Sequence, residues 1–250
     1  LVEAFARLGH TPLRLRAAVG ALAGEEDEES SGGVGGGGGA GESGAGLGSK
    51  ASLEGMGDRD FARGLTSLAQ RGKHGADPSQ VESFARELER RGASQIDPSA
   101  LAHSLLALAT LEHVPSASLL AEADLALATC ARSLAPDALG PGLLALSALE
   151  HVPSNMLLAA MAEAAEAHAG AFAAADITAL LLAFARVQYH PSVTLLTKME
   201  EQALSRVHEF AAEDARLILY TFVQLEHIPR EELLKPLTDL GESNRNDQQK

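Results

Sequence analysis

The pentapeptide Leu111-Glu112-His113-Val114-Pro115 returns as Leu149-Glu150-His151-Val152-Pro153, then as Val187-Gln188-Tyr189-His190-Pro191, and again as Leu225-Glu226-His227-Ile228-Pro229. The prolines stand at 115, 153, 191 and 229, so every step is 38 residues. Apolar columns keep the same stride: Leu119, Leu157, Leu195 and Leu233; Leu105, Leu143, Leu181 and Leu219; Leu108, Leu146, Phe184 and Phe222. A fixed period of this length marks a repeat array.

Each period reads as two helices. The proline is expected to open helix A at its first position, where the missing N–H breaks no bond, and helix A should run from about Ser116 to Ser133. Helix B opens at Asp97-Pro98, at Ala135-Pro136-Asp137, and at the acids Asp176 and Asp214 in later copies. Acids in a first turn complement the helix dipole. Leucines three and four apart then keep one face apolar. Gly140-Pro141-Gly142 interrupts one helix B, which predicts a late start or a kink there. A hairpin this short cannot bury both apolar faces alone, so neighbours must stack. The expected fold is all-α: an α-solenoid of about five 38-residue helical hairpins.

Working outward, Phe5-Ala6-Arg7-Leu8-Gly9-His10-Thr11-Pro12 matches the end of a repeat, and Leu68-Ala69-Gln70-Arg71-Gly72-Lys73 matches the next end. The surplus between them is a Gly, Ser and acid tract that cannot bury enough apolar surface to order itself. The organisation is therefore read as a partial repeat and the start of the next at 1–23, a disordered insertion at 24–57, repeats at 58–240 and a polar tail at 241–250. The chain opens inside one repeat and stops inside another, as a piece of a longer array would.

Of 250 residues, 46% are hydrophobic and 4% aromatic. That balance suits packed helices rich in Ala and Leu. No apolar run reaches the roughly 18–20 residues of a membrane span, so no membrane partner is expected. The single cysteine, Cys130, excludes a disulfide framework within the chain and a four-cysteine zinc site; a buried, inert thiol is the expectation. Net charge is −14, and between Leu101 and Leu240 17 acids face 7 Lys and Arg. Phosphate neutralisation needs the opposite balance.

The phrase at Phe5–Pro12, with the 38-residue hairpin, resembles the octotricopeptide repeat family. The chain is also similar to the helical-repeat regions of FAST-kinase-like and RAP-domain proteins and of mitochondrial RNA-editing substrate-binding complex subunits. The resemblance implies an α-solenoid working on organellar RNA, in a mitochondrion or alternatively a plastid, in processing, stability, editing or translation.

Candidate contacts follow from the register. Arg7, Gln70, Thr110, Ala148, Arg186 and Gln224 form a polar, variable column near the end of helix B. Repeat proteins that read single-stranded RNA use two or three such side chains per base. Arg7, Gln70, Thr110, Arg186 and Gln224, with Tyr189 as the one plausible stacking ring, are the candidate RNA- or partner-binding residues. Arg132, Arg186, Arg206 and Arg216 would supply a basic stripe if they shared a face. The His113, His151, Tyr189 and His227 column is expected to cap helix B with its rings; copies 8–10 Å apart cannot share one metal. No catalytic constellation, cofactor motif, metal site or small-molecule pocket is read from the chain. Two functions stay open: a helical-repeat RNA-binding protein, or a protein-binding scaffold subunit of an organellar ribonucleoprotein.

Overall fold

The computed structural model describes residues 53–72 and 75–247. The partial repeat at 1–23, Arg7 and most of the 24–57 insertion lie outside them. Ten α-helices follow one another, with no strand among the described residues: α1 Asp58–Arg71, α2 Pro78–Arg91, α3 Pro98–Thr110, α4 Ala117–Cys130, α5 Pro136–Ala148, α6 Asn155–Ala167, α7 Ala174–Arg186, α8 Val193–Ser205, α9 Ala212–Gln224 and α10 Glu231–Asp247. Odd-numbered helices are the expected helices B and even-numbered ones the helices A. The chain is an all-α repeat solenoid. Packing begins ahead of residue 58, because Leu53 is buried and its carbonyl accepts from Arg91 Nη2 at 2.6 Å. At the other end α10 continues past 240, to Asp247.

The odd helices make one closely packed layer, each against the next, and the even helices make a looser second layer. Leu105, Leu143 and Leu181 are fully buried, as are Leu108, Leu146, Phe184 and Phe222. Each of the first four even helices is followed by a short 3-10 turn, at Ala93–Gln95, Ala131–Ser133, Ala169–Ala171 and Val207–Glu209. The next residue but none, Ile96, Leu134, Phe172 or Phe210, is buried and pins that turn to the core.

The conserved-looking stride of prolines has a different role from the expected one. Pro115, Pro153 and Pro191 precede the N-cap instead of opening the helix, and all three are buried. The caps are the serines that follow. Ser116, Ser154 and Ser192 each accept, through Oγ, from the N–H three residues on, at 3.3, 3.2 and 3.1 Å. A serine satisfies an orphan N–H that a proline cannot. Helix-opening prolines do occur where an Asp or Ala precedes them, at Pro78, Pro98 and Pro136.

α5 starts on schedule at Pro136 despite Gly140-Pro141-Gly142. The reason is close approach. A Cβ on Gly140 would stand 2.7 Å from the Leu180 nitrogen and 2.8 Å from the Ala179 carbonyl carbon. The α5 backbone therefore lies against the α7 backbone, and only glycine fits between them. Two residues on, a Cβ at Gly142 would meet Ala102, Leu127 and Met161 at ordinary distances of 3.5–3.6 Å. The two glycines should part under substitution. Gly140→Ala should destabilise the fold by about 1–3 kcal/mol through overpacking, whereas Gly142→Ala should be neutral or stabilise by about 0.5–1 kcal/mol. Urea unfolding of both variants checks this; equal effects would contradict the backbone contact.

Candidate functional site

The recurring pentapeptides all lie on one edge of the solenoid, where odd helices turn into even ones. Each turn is closed by the backbone. Glu112, Glu150, Gln188 and Glu226 adopt φ of 55°, 60°, 53° and 55°. The following N–H, of His113, His151, Tyr189 or His227, donates to the carbonyl five residues back, Leu108, Leu146, Phe184 or Phe222, at 2.9–3.0 Å. This is a left-handed C-terminal cap, and glycine is its usual occupant. A side chain in that conformation costs about 1–2 kcal/mol. The chain nonetheless places an acid or amide there four times.

The ring column does not cap the helix with its nitrogens as expected; the cap belongs to the main chain. Tyr189 packs on Phe184 with centroids 5.5 Å apart, and His227 on Phe222 at 5.3 Å. The free nitrogens of two rings face acids of the preceding even helix. His151 Nε2 lies 3.4 Å from Asp124 Oδ2, and His227 Nε2 lies 2.9 Å from Glu200 Oε2.

Those acids hold the next even helix by its N-terminus. Asp124 Oδ2 accepts from Ser154 N at 2.8 Å, and Glu200 Oε1 accepts from Arg230 N at 2.7 Å. At the alternate joints an acid one turn further along serves. Glu89 Oε1 accepts from Ser116 N at 2.9 Å, and Glu166 takes the Ser192 hydroxyl at 3.4 Å. A carboxylate at a helix N-terminus meets both unpaired N–H groups and the positive dipole end. Each joint between repeats thus fixes the loop that precedes it. These acids were not singled out in the sequence, although Asp124 and Glu200 share one column of the 38-residue stride.

The predicted contact residues are brought to this same edge, with unequal availability. Gln70, Thr110, Ala148, Arg186 and Gln224 fall in the last turn of successive odd helices. Gln70, Arg186 and Gln224 are exposed. Crowding around Arg186 lowers its pKa through desolvation. Thr110 is half-buried, and its hydroxyl donates to the Leu106 carbonyl at 2.8 Å. Tyr189 is half-buried against Phe184 and so is no open stacking platform. The expected basic stripe does not form. Arg132 and Arg206 lie after even helices, at the opposite edge from Arg186, about 20 Å away along a 13-residue helix. Arg216 lies in the N-terminal half of α9, also away from that edge.

Seven of the described cations are matched to acids. Arg132 pairs with Glu163, Lys198 with Glu166, Arg206 with Glu209 and Arg86 with Glu82. Arg91 bridges Glu87 and Asp58 and stacks 4.7 Å over Phe61. The Arg90 guanidinium, together with Arg91, holds the buried Glu87 carboxyl down at about 2 against the opposing effect of burial. Cys130 is half-buried, not fully buried. Among the described residues no group of three or more His, Cys, Asp or Glu could hold a metal, and no helix is long and apolar enough to cross a membrane.

What the edge does expose is apolar. Val114 is 64% exposed, Val152 86% and Ile228 86%, one from each of three loops in the same position. His190 takes that position in the remaining loop and is exposed too. The sequence carried this signal in the column before the proline, where a β-branched residue follows a polar ring three times in four.

No protein-family model matches the chain, and a comparison with curated proteins finds no match either.

Burial by itself would raise the Glu200 pKa, but hydrogen bonds from the Arg230 backbone and guanidinium and from His227 outweigh it, leaving the carboxyl below its usual range. A depressed folded-state pKa means stabilisation that is present above the unfolded carboxylate value and lost as pH falls through the folded one. Glu200→Gln keeps the shape and removes the charge, so it should cost about 1–3 kcal/mol at pH 7. The gap to wild type should close as the medium is acidified. Urea unfolding at pH 7 and pH 3 measures it; an unchanged gap would mean that the charge contributes nothing.

Proposed function

We propose that this chain is a protein-binding α-solenoid scaffold, and that it works as a subunit of an organellar ribonucleoprotein. The observation that carries the reading is the row of Val114, Val152 and Ile228, held out to solvent at one position of successive loops. Scattered exposed aliphatics are ordinary, but a row repeated in register marks an interaction surface. Extended repeat surfaces commonly serve protein partners. The charge balance supports the same reading, because among the described residues of the predicted readout column, Gln70, Thr110, Ala148, Arg186 and Gln224, there is one cation, Arg186. Phosphate contacts supply most of the affinity for single-stranded nucleic acid, and little here provides them. The organellar setting, a mitochondrion or a plastid, is supported by the resemblance of the repeat phrase to octotricopeptide repeats. Direct RNA binding is the competing reading, favoured by the exposed Gln70, Arg186 and Gln224 on that edge.

Two measurements on the full chain separate the readings. Crosslinking in cell extract should give protein adducts that survive ribonuclease. They should be lost in the double variant Val152→Asp, Ile228→Asp and retained in Arg186→Ala, Gln224→Ala. Filter binding of a single-stranded RNA pool should stay at background even at low salt. Retention of RNA that falls steeply with salt and disappears in the Arg186, Gln224 variant would overturn the scaffold reading in favour of RNA.

A further inference from the structure

We infer that the loop edge docks an extended, lysine- or arginine-rich protein segment that carries an apolar residue at intervals of three. This rests on the scaffold reading and names the partner of that same surface.

The anchors are Val114, Val152 and Ile228, exposed on loops that are fixed rather than slack. Each loop is tied at one end by the left-handed cap and at the other by a carboxylate from the neighbouring repeat. Two residues before each anchor stands an exposed acid, Glu112, Glu150 or Glu226. In the third loop both positions change together: the anchor becomes His190 and the acid becomes Gln188. Charge is present where the apolar anchor is present and absent where it is absent, as one shared occupant would require.

The backbone adds an independent argument. Elsewhere among the described residues positive φ falls on glycine, at Gly72 and Gly92. At the loop edge it keeps a glutamate three times and a glutamine once in a conformation that favours glycine. Strain retained in one place repeatedly points to a use for the side chain. A second copy of this chain does not suit the edge, since a net charge of −14 would set acid against acid. A cationic segment does suit it, through complementary potential.

Spacing selects the conformation of that segment. Packed helices repeat at about 8–10 Å, and one turn of an extended polyproline-II segment, three residues, spans about 9 Å and returns the side chain to the same face. Apolar residues at i and i+3 would reach Val114 and Val152, a polar one at i+6 would meet His190, and an apolar one at i+9 would reach Ile228. Lysines or arginines between them would lie beside Glu150 and Glu226.

The probe is a fluorescent twelve-residue peptide with valine at positions 2, 5 and 11, glutamine at 8 and lysine elsewhere, titrated into the full chain. Two controls accompany it: the same residues with the valines contiguous, and glutamate in place of every lysine. The matched peptide should bind at least about tenfold more tightly than either control, a difference of about 1.4 kcal/mol. The double variant Glu150→Gly, Glu226→Gly should weaken it by about tenfold while raising the melting temperature by roughly 2–4 °C. Opposite signs in binding and stability are what a purely structural role for the two glutamates would not produce. Equal binding of matched and contiguous peptides, no binding of the matched peptide, or unaltered binding in the glycine variant would each overturn the inference. The scaffold reading would survive those outcomes if the crosslinked adducts still depend on Val152 and Ile228, and would fall separately if they do not.

Discussion

Gly140 has no Cβ, and the backbone of α7 occupies the place where one would stand. That contact is the closest expression of the constraint on which the molecule depends: every odd helix must lie directly on the next. A single hairpin of two short helices leaves an apolar stripe open on each side. Stacking removes the stripe by giving it to a neighbour, so the leucines at 105, 143 and 181 are fully buried although no one hairpin could bury them. The same logic explains Leu234. Its column mates Leu120, Leu158 and Leu196 are buried, whereas Leu234 is 41% exposed on a helix with no later helix against it among the described residues.

Stacking alone would let the even helices slide, because they touch less closely than the odd ones. Directional bonds supply the register. Glu89, Asp124, Glu166 and Glu200 each reach to the N-cap residue of the next even helix. A buried carboxylate is costly unless it is fully met by donors, and the two buried ones, Asp124 and Glu200, are met by main-chain N–H groups, a serine hydroxyl, an arginine and imidazole nitrogens. The hydrogen bonds that set the register also define the loops, and so they hold the exposed Val114, Val152 and Ile228 in a regular row. The bonds that hold the helices in register and the exposed apolar row lie on one edge of the fold.

Much of this was legible before any coordinate. The 38-residue stride of the prolines and leucines dictates paired helices, stacking and the buried columns, because apolar periodicity reports directly on what must leave water. The candidate edge was legible too, since Gln70, Thr110, Arg186 and Gln224 share a register and so share a place. Three things were not. Whether Pro115 opens a helix or precedes its cap depends on the hydroxyl of Ser116, a geometric matter of one residue. That a glycine-proline-glycine run can sit inside α5 depends on α7, which is distant in sequence. The helix-holding acids are hidden from any single-column reading, because Asp124 and Glu200 share a column whereas Glu89 and Glu166 serve the alternate copies from about one turn further along. The availability of a side chain was the weakest inference of all: Thr110 and Tyr189 share the edge but are turned to neighbours there.

Residue-resolved amide hydrogen exchange tests most directly whether neighbouring repeats seal one another. If they do, protection should be graded along the chain, deepest for the amides of Leu143 and Leu181 in α5 and α7, which are covered on both sides, and shallower in α10. The His151 and Tyr189 amides, bonded back into helix ends, should be protected with them. Protection in α10 equal to or deeper than that in α5 and α7, or rapid exchange at His151 and Tyr189, would contradict an array held together by its neighbours.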